Sequence, residues 1–168
     1  YVFNSKIKFQ GLNGEWSLMD DLSVSRNSGG GGIDLVYGHL RTDGKTMTFD
    51  VLFSDYPNNP RGLTIDNSVI DNSIFIGVWS CSPIWQVCGD NLAFSAINSL
   101  IKTSHFKHTG STKTYHNIEI HQGVCNAYLS GGGCSFNKIT IPDFGVQQYV
   151  RIEGNNMIDS LISDNLTW

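Results

Sequence analysis

The stretch that most constrains this chain is Asp90 to Lys102, Asp-Asn-Leu-Ala-Phe-Ser-Ala-Ile-Asn-Ser-Leu-Ile-Lys. Placed at about 100° per residue, Leu92, Ala93, Phe94, Ala96, Ile97, Leu100 and Ile101 fill an arc of roughly 200°. Only Asn91, Ser95, Asn98 and Ser99 occupy the remainder. Asp90 is a residue type that accepts hydrogen bonds from the first free N–H groups of a helix, and Lys102 stands where the helix dipole favours a cation. A helix resting on one flat sheet needs a narrower apolar stripe with charges opposite it. The spacing therefore predicts a helix over 90–102 that is enclosed on several sides. The fold class that follows is α+β, a curved and mostly antiparallel sheet clasping one central helix.

Composition bounds the rest. The chain has 168 residues, enough for one domain to bury a core without cross-links. Charged residues are 15%, against a usual value of about 25%. In their place stand 18 Gly, 18 Ser and 15 Asn, which reads as a neutral surface rich in hydroxyls and amides and turned to the outside. A net charge of −4 with no basic cluster argues against nucleic acid and against anionic membrane surfaces. No apolar run approaches the length of a membrane span, so direct membrane insertion is not expected. The chain opens at Tyr1-Val2-Phe3 and reads as a single domain, 1–168, excised from a longer polypeptide.

Cys81, Cys88, Cys125 and Cys134 lack the short spacing of a zinc clip or a redox pair. Four cysteines allow three pairings, and free buried thiols stand beside disulfides as open readings. Asn165-Leu166-Thr167 is the one glycosylation sequon.

Several strands are predicted along the chain. Ile7–Phe9 and Glu15–Leu18 read as a pair joined across Gly11-Leu12-Asn13-Gly14, and Ser28 to Gly32 as a flexible loop. A hairpin of Ile33–Arg41 with Lys45–Phe53 turns at Asp43-Gly44, which sets Leu40 against Met47 and Val36 against Val51. Ile74–Trp79 reads as a central strand. A second hairpin joins Thr114–His121 to Val124–Ser130 at Gln122-Gly123. Further strands fall near Phe136–Ile141 and Gln147–Glu153, and Met157, Ile158, Leu161 and Ile162 fit a short closing helix. No repeat at a fixed period stands out.

Catalytic constellations fail one by one. Gly44-Lys45-Thr46 lacks the glycine that a phosphate-binding loop needs at position 39. His39, Asp66 or Asp71, and Ser130 stand in the order of a chymotrypsin-type protease, yet position 128 is Tyr where such enzymes place Gly. His116 and His121 sit an odd number apart on a strand and cannot share one ion, so no metal and no cofactor is expected.

Three outward strand faces remain, each joining an aromatic ring to polar groups: Tyr37/His39/Arg41/Asp50, Tyr115/Asn117/Glu119/Tyr128, and Tyr149/Arg151/Glu153. Sugars have apolar C–H faces that stack on rings, and hydroxyls that need fixed donors and acceptors at the rim. Trp85, ahead of the expected helix, is a further stacking candidate.

A β-rich, uncharged, outward-facing domain holding one apolar helix, with hairpins at Ile33–Phe53 and Thr114–Ser130 and Leu92–Ile101 enclosed, resembles the glycan-binding head of a rotavirus outer-capsid spike of the group B type. Heads of the group A kind resemble galectins and have no such helix, so none of their sugar contacts is carried over. The resemblance implies a non-enzymatic attachment domain at the virion surface, joined to the remainder of the spike polypeptide. It also implies recognition of cell-surface oligosaccharides of galactose or lactosamine type. The alternatives are a structural or protein-binding domain of a surface protein and a small viral chymotrypsin-like protease.

Overall fold

The computed structural model describes residues 2–3, 5–24, 32–72, 85–121, 127–143 and 149–164. Among these residues there is no helix. In chain order the strands are β1 (Val2–Phe3), β2 (Ile7–Phe9), β3 (Glu15–Ser17), β4 (Leu22–Val24), β5 (Gly32–Leu35), β6 (Gly38–Arg41), β7 (Thr46–Phe49), β8 (Val51–Ser54), β9 (Arg61–Thr64) and β10 (Val69–Asp71). They continue with β11 (Trp85–Cys88), β12 (Leu92–Ser95), β13 (Leu100–Thr103), β14 (His105–Thr109), β15 (Thr114–Ile120), β16 (Ala127–Ser130), β17 (Ser135–Ile141), β18 (Val150–Glu153) and β19 (Met157–Ser163).

These strands form three sheets, and each observed pairing is parallel, between strands of successive coils. Face A holds eight strands (β1, β4, β7, β10, β13, β15, β17, β19), face B seven (β2, β5, β8, β11, β14, β16, β18) and face C four (β3, β6, β9, β12). The chain winds as a β-solenoid, running B to C to A in each of the first four full coils. Face C then ends at β12. In the last three coils its place is taken by the lengthened β15, β17 and β19, seven residues each. Tyr115 and Ile118, three apart in β15, are both buried, as are Phe136 and Ile139 in β17, so these strands bend where a corner used to be.

Stacking explains why this sequence winds. A coil that cannot bury its apolar side alone buries it by lining up with the next. On face B the inward column reads Ile7, Ile33, Leu52, Trp85, Phe106, Leu129, Ile152. On face A it reads Leu22, Met47, Ile70, Ile101, Ile118, Ile139, and the register continues to Leu161, which is exposed on the last rung. The widest side chains gather where the cross-section changes. The Trp85 and Phe106 rings stack at 6.1 Å and 6°, and Tyr115 meets both edge-on. Tyr115 also stacks with Phe136 at 5.6 Å.

The polar residues that looked like surface chemistry mostly build corners. Asn13, Asn67, Asn91 and Asn98 all have positive φ, a conformation Asn tolerates better than most residues. At the corner between C and A, Thr42 Oγ1 lies 2.6 Å from Ser68 Oγ, and the Asn98 amide donates to Asn67 Oδ1 at 3.2 Å. Close approach of coils demands glycine at position 89, where an added Cβ would stand 1.9 Å from the Ser111 carbonyl oxygen.

The expected α+β architecture is therefore replaced. Residues 90–102 form β12, a turn and β13. Asn91 and Asn98 sit at φ 49° and 54°, and Ser99 donates both its N–H and its hydroxyl to Ala96 O, which ends any helical run. The wide apolar arc arose from two short strands read as one rod. Both hairpins are also corrected. Asp43-Gly44 does turn, with φ 49° and 77° and Lys45 N–H bonded to Thr42 O at 2.9 Å, but it passes from face C to face A. Leu40 consequently pairs with Trp16 and Leu63, and Met47 with Leu22 and Ile70.

β2 and β3 lie on different faces, as do β15 and β16. The closing helix is the strand β19. The strand expected at Ile74–Trp79, the Gln122-Gly123 turn, Cys81 and Cys125 lie outside the described residues, as does most of the Ser28–Gly32 loop. Cys88 and Cys134 are free and buried. The enclosed helix and paired hairpins that carried the likeness to a rotavirus spike head are absent among the described residues.

Candidate functional site on face B

The outward columns of face B follow the same stacking rule as the core. One runs Lys8, Asp34, Phe53, Gln86, Lys107, Ser130, Glu153. Beside it His105, Tyr128 and Arg151 are in register. Over the last three coils these columns border an open depression of about 580 Å3, lined by Lys107, Ala127, Tyr128, Ser130, Tyr149, Arg151 and Glu153. Strands in a sheet are about 4.8 Å apart and alternate residues about 6.8 Å, so the three-rung patch measures about 10 Å by about 7 Å.

Each side chain here is held in a definable way. The Tyr128 ring meets His105 edge-on at 4.9 Å, which props it against the sheet. Burial pushes the Tyr128 hydroxyl pKa above its ordinary value, with the nearby Glu153 carboxylate adding to the rise, so it remains an O–H donor at neutral pH. Arg151 Nη2 lies 2.5 Å from Glu153 Oε1 along the same strand. Tyr149, 79% exposed at the entry to β18, is the widest apolar surface on the rim. A ring to stack on and a border of hydroxyl, ammonium, guanidinium and carboxylate groups are what a pyranose needs.

The sequence candidates scatter around the coil. Tyr128, Tyr149 and Arg151 are brought together, with Glu153. Tyr37 is half-buried at the turn between faces B and C. His39 lies on face C with Nε2 2.8 Å from Thr64 Oγ1, and Arg41 is on the same face. Asp50 is buried between β7 and β8. Asn117 and Glu119 are on face A, where Glu119 pairs with His121.

Trp85 and Tyr115 are corrected outright. Both are completely buried in the aromatic cluster, so neither ring can stack on a ligand. Each occupies an inward strand position that local sequence could not tell from an outward one.

A second, smaller cleft of about 380 Å3 opens where face C ends, between Phe94–Ile97 and Thr112–His116. Beneath it runs a buried polar link. His108 Nε2 donates to Ser111 O at 2.8 Å, which leaves Nδ1 to accept the Tyr115 hydroxyl at 2.8 Å. That neutral tautomer is favoured because burial lowers the His108 pKa, with Lys113 acting in the same direction and the Ser111 bond and Asp90 opposing it. Burial also lowers the pKa of His39.

Unfolding therefore releases groups that bind protons more readily than the folded chain does just below pH 6.5. Stability is full above about pH 6.5 and is lost as pH falls through that value towards the folded-state pKa. Thermal midpoints should be level from about pH 7.5 to about 6.5 and decline below; a midpoint that rises between about pH 6.5 and 5.5 would contradict the assignment.

Two residues of the candidate site escaped sequence reasoning. Lys107 was passed over, and Ser130 was weighed only as a nucleophile. The signal was there in the numbering: 107, 130, 153 and 105, 128, 151 each step by 23, the length of a coil in this part of the solenoid. His39 on face C, Asp66 at the corner bonding Ser95 and Ile97, Asp71 on face A and Ser130 on face B do not come together on one face, so the protease order has no geometry behind it. Among the described residues no three His, Cys, Asp or Glu side chains are placed to hold a metal. Comparison with family models, with curated proteins and with solved structures found no match.

Proposed function

We propose that face B of the last three coils is a carbohydrate-binding surface. In this reading the chain is a non-enzymatic attachment module for cell-surface oligosaccharides, including those of galactose and lactosamine type. An outward-facing protein of a cell or a virion is the setting this activity asks for. The observation that carries the reading is the depression of about 580 Å3 in which Tyr128 and Tyr149 stand with Lys107, Ser130, Arg151 and Glu153. Single-site sugar affinity is weak, because hydroxyls must shed water for each bond formed, and repeated copies offset this through avidity.

A multimerised form of the protein on an immobilised oligosaccharide panel tests the reading. Retention is expected, and Tyr149→Ala or Tyr128→Ala should each weaken it about tenfold, the equivalent of one lost ring contact of about 1.4 kcal/mol. Tyr149→Ala should leave the unfolding midpoint unchanged, since the ring is 79% exposed. A multimer that retains no oligosaccharide would instead favour a protein partner. The observation on that side is the exposed apolar group of Met157, Leu161 and Ile162 on β19.

A further inference from the structure

We infer that the sugar held on face B carries an acidic substituent, a carboxylate or a sulfate, seated against Lys107. This rests on the carbohydrate reading above and narrows it to one ligand class. Among the described residues three charged side chains line the depression: Lys107, Arg151 and Glu153. Arg151 and Glu153 neutralise each other at 2.5 Å.

Lys107 makes no ion pair and no side-chain hydrogen bond among the described residues. Its neighbours in the outward column are Gln86, whose amide is turned to Asp55 Oδ2 at 2.7 Å, and the uncharged Ser130. Lys107 is thus the cation of the depression that no described carboxylate pairs directly, the nearby Asp55 carboxylate being taken up by Gln86 and Thr109, with the Ser130 hydroxyl one rung away and the Tyr128 and Tyr149 rings to one side of its column. An anionic oxygen placed between the Lys107 ammonium and Ser130 Oγ accepts from both. A neutral sugar offers the ammonium a hydroxyl oxygen, a weaker acceptor than an anionic one.

The geometry also explains why the charge is selective. Glu153, two rungs from Lys107, is about 10 Å away along the stack. It is held by Arg151, so it repels an anion at Lys107 only through a partly screened field.

The test is an immobilised panel of neutral, carboxylated and sulfated oligosaccharides, probed with the multimerised protein and its variants. The strongest signals should come from the carboxylated or sulfated members, and the two sets distinguish which acid is preferred. Lys107→Gln should weaken those signals about tenfold, as expected for one charge-assisted hydrogen bond, and lower neutral signals by clearly less, so that the acidic-to-neutral ratio falls. Glu153→Gln should strengthen the acidic signals about threefold by removing the opposing carboxylate. Circular dichroism of each variant checks that the coil is intact. Strongest binding to neutral members that is indifferent to Lys107→Gln would overturn this inference and leave the carbohydrate reading standing. Absence of binding to every member would overturn both.

Discussion

Replacing Arg61 with Met is expected to lower the unfolding free energy by about 4 kcal/mol, in the range found when one partner of a buried charged network is removed. Arg61 is only 4% exposed, yet among the described residues no carboxylate pairs with it directly. Its guanidinium is instead satisfied by main chain from two coils. Nε donates to Asn59 O at 3.1 Å, Nη1 to Ser54 O and Oγ, and Nη2 to Cys88 O at 3.0 Å and Asp90 O at 2.7 Å.

Five donors thus tie the corner after β8 to the corner after β11. Met fills the space but leaves four carbonyls without that donor, each at about 1 to 3 kcal/mol if water cannot reach it. Arg61→Lys, with three donors on a single point, should recover only part of the loss. Urea unfolding measures this directly. A change under about 1 kcal/mol for Arg61→Met would mean that the corner is open to water.

Trp85→Ala is expected to cost a similar amount, about 4 kcal/mol, while leaving the oligosaccharide retention proposed for face B unchanged in the folded fraction. The ring is fully buried between Leu52 and Phe106 and braced by Tyr115. Removing it opens a large cavity at the point where the solenoid changes from three faces to two, so neighbours on three coils lose contacts together. The same substitution separates the two roles that the sequence allowed for this residue. A stacking tryptophan on the surface would give the opposite pattern, with stability retained and binding lost. Urea midpoints and panel retention of the same preparation distinguish the two.

Much of the local structure could be read from residue types. Asp43-Gly44 was expected to turn and does, with both residues at positive φ. Phe136–Ile141 was expected as a strand and lies within β17. What could not be read was which segment each strand would meet. Alternation within Met47 to Phe49 or within Leu52 to Ser54 is equally at home in an antiparallel hairpin or a parallel coil, because both bury every second side chain. The change of phase at the buried Asp50, where the chain passes from face A to face B, is not marked by residue type.

The repeat was hidden by uneven coils. Ile33, Leu52, Trp85, Phe106, Leu129 and Ile152 stack in one column, at separations of 19, 33, 21, 23 and 23. Only the last steps are regular, and the residues are apolar without being identical. Gly89, Gly110, Gly131 and Gly154 repeat more evenly, and Gly110 and Gly154 have positive φ that mark the corners. The grouping of residues on face B has the same origin. Tyr149, Arg151 and Glu153 share a strand end and were grouped by sequence, whereas Lys107, Tyr128 and Ser130 join them only through stacking.

The most direct measurement is a map of backbone amide shifts as the tightest-binding oligosaccharide from the panel is added to isotope-labelled protein. The proposed site predicts that perturbations cluster at Lys107, Tyr128, Ser130 and Tyr149 to Glu153, residues far apart in sequence that face B places together. Perturbations centred instead on Asn117 and Glu119 of face A, or on His39 and Arg41 of face C, with face B silent, would contradict it.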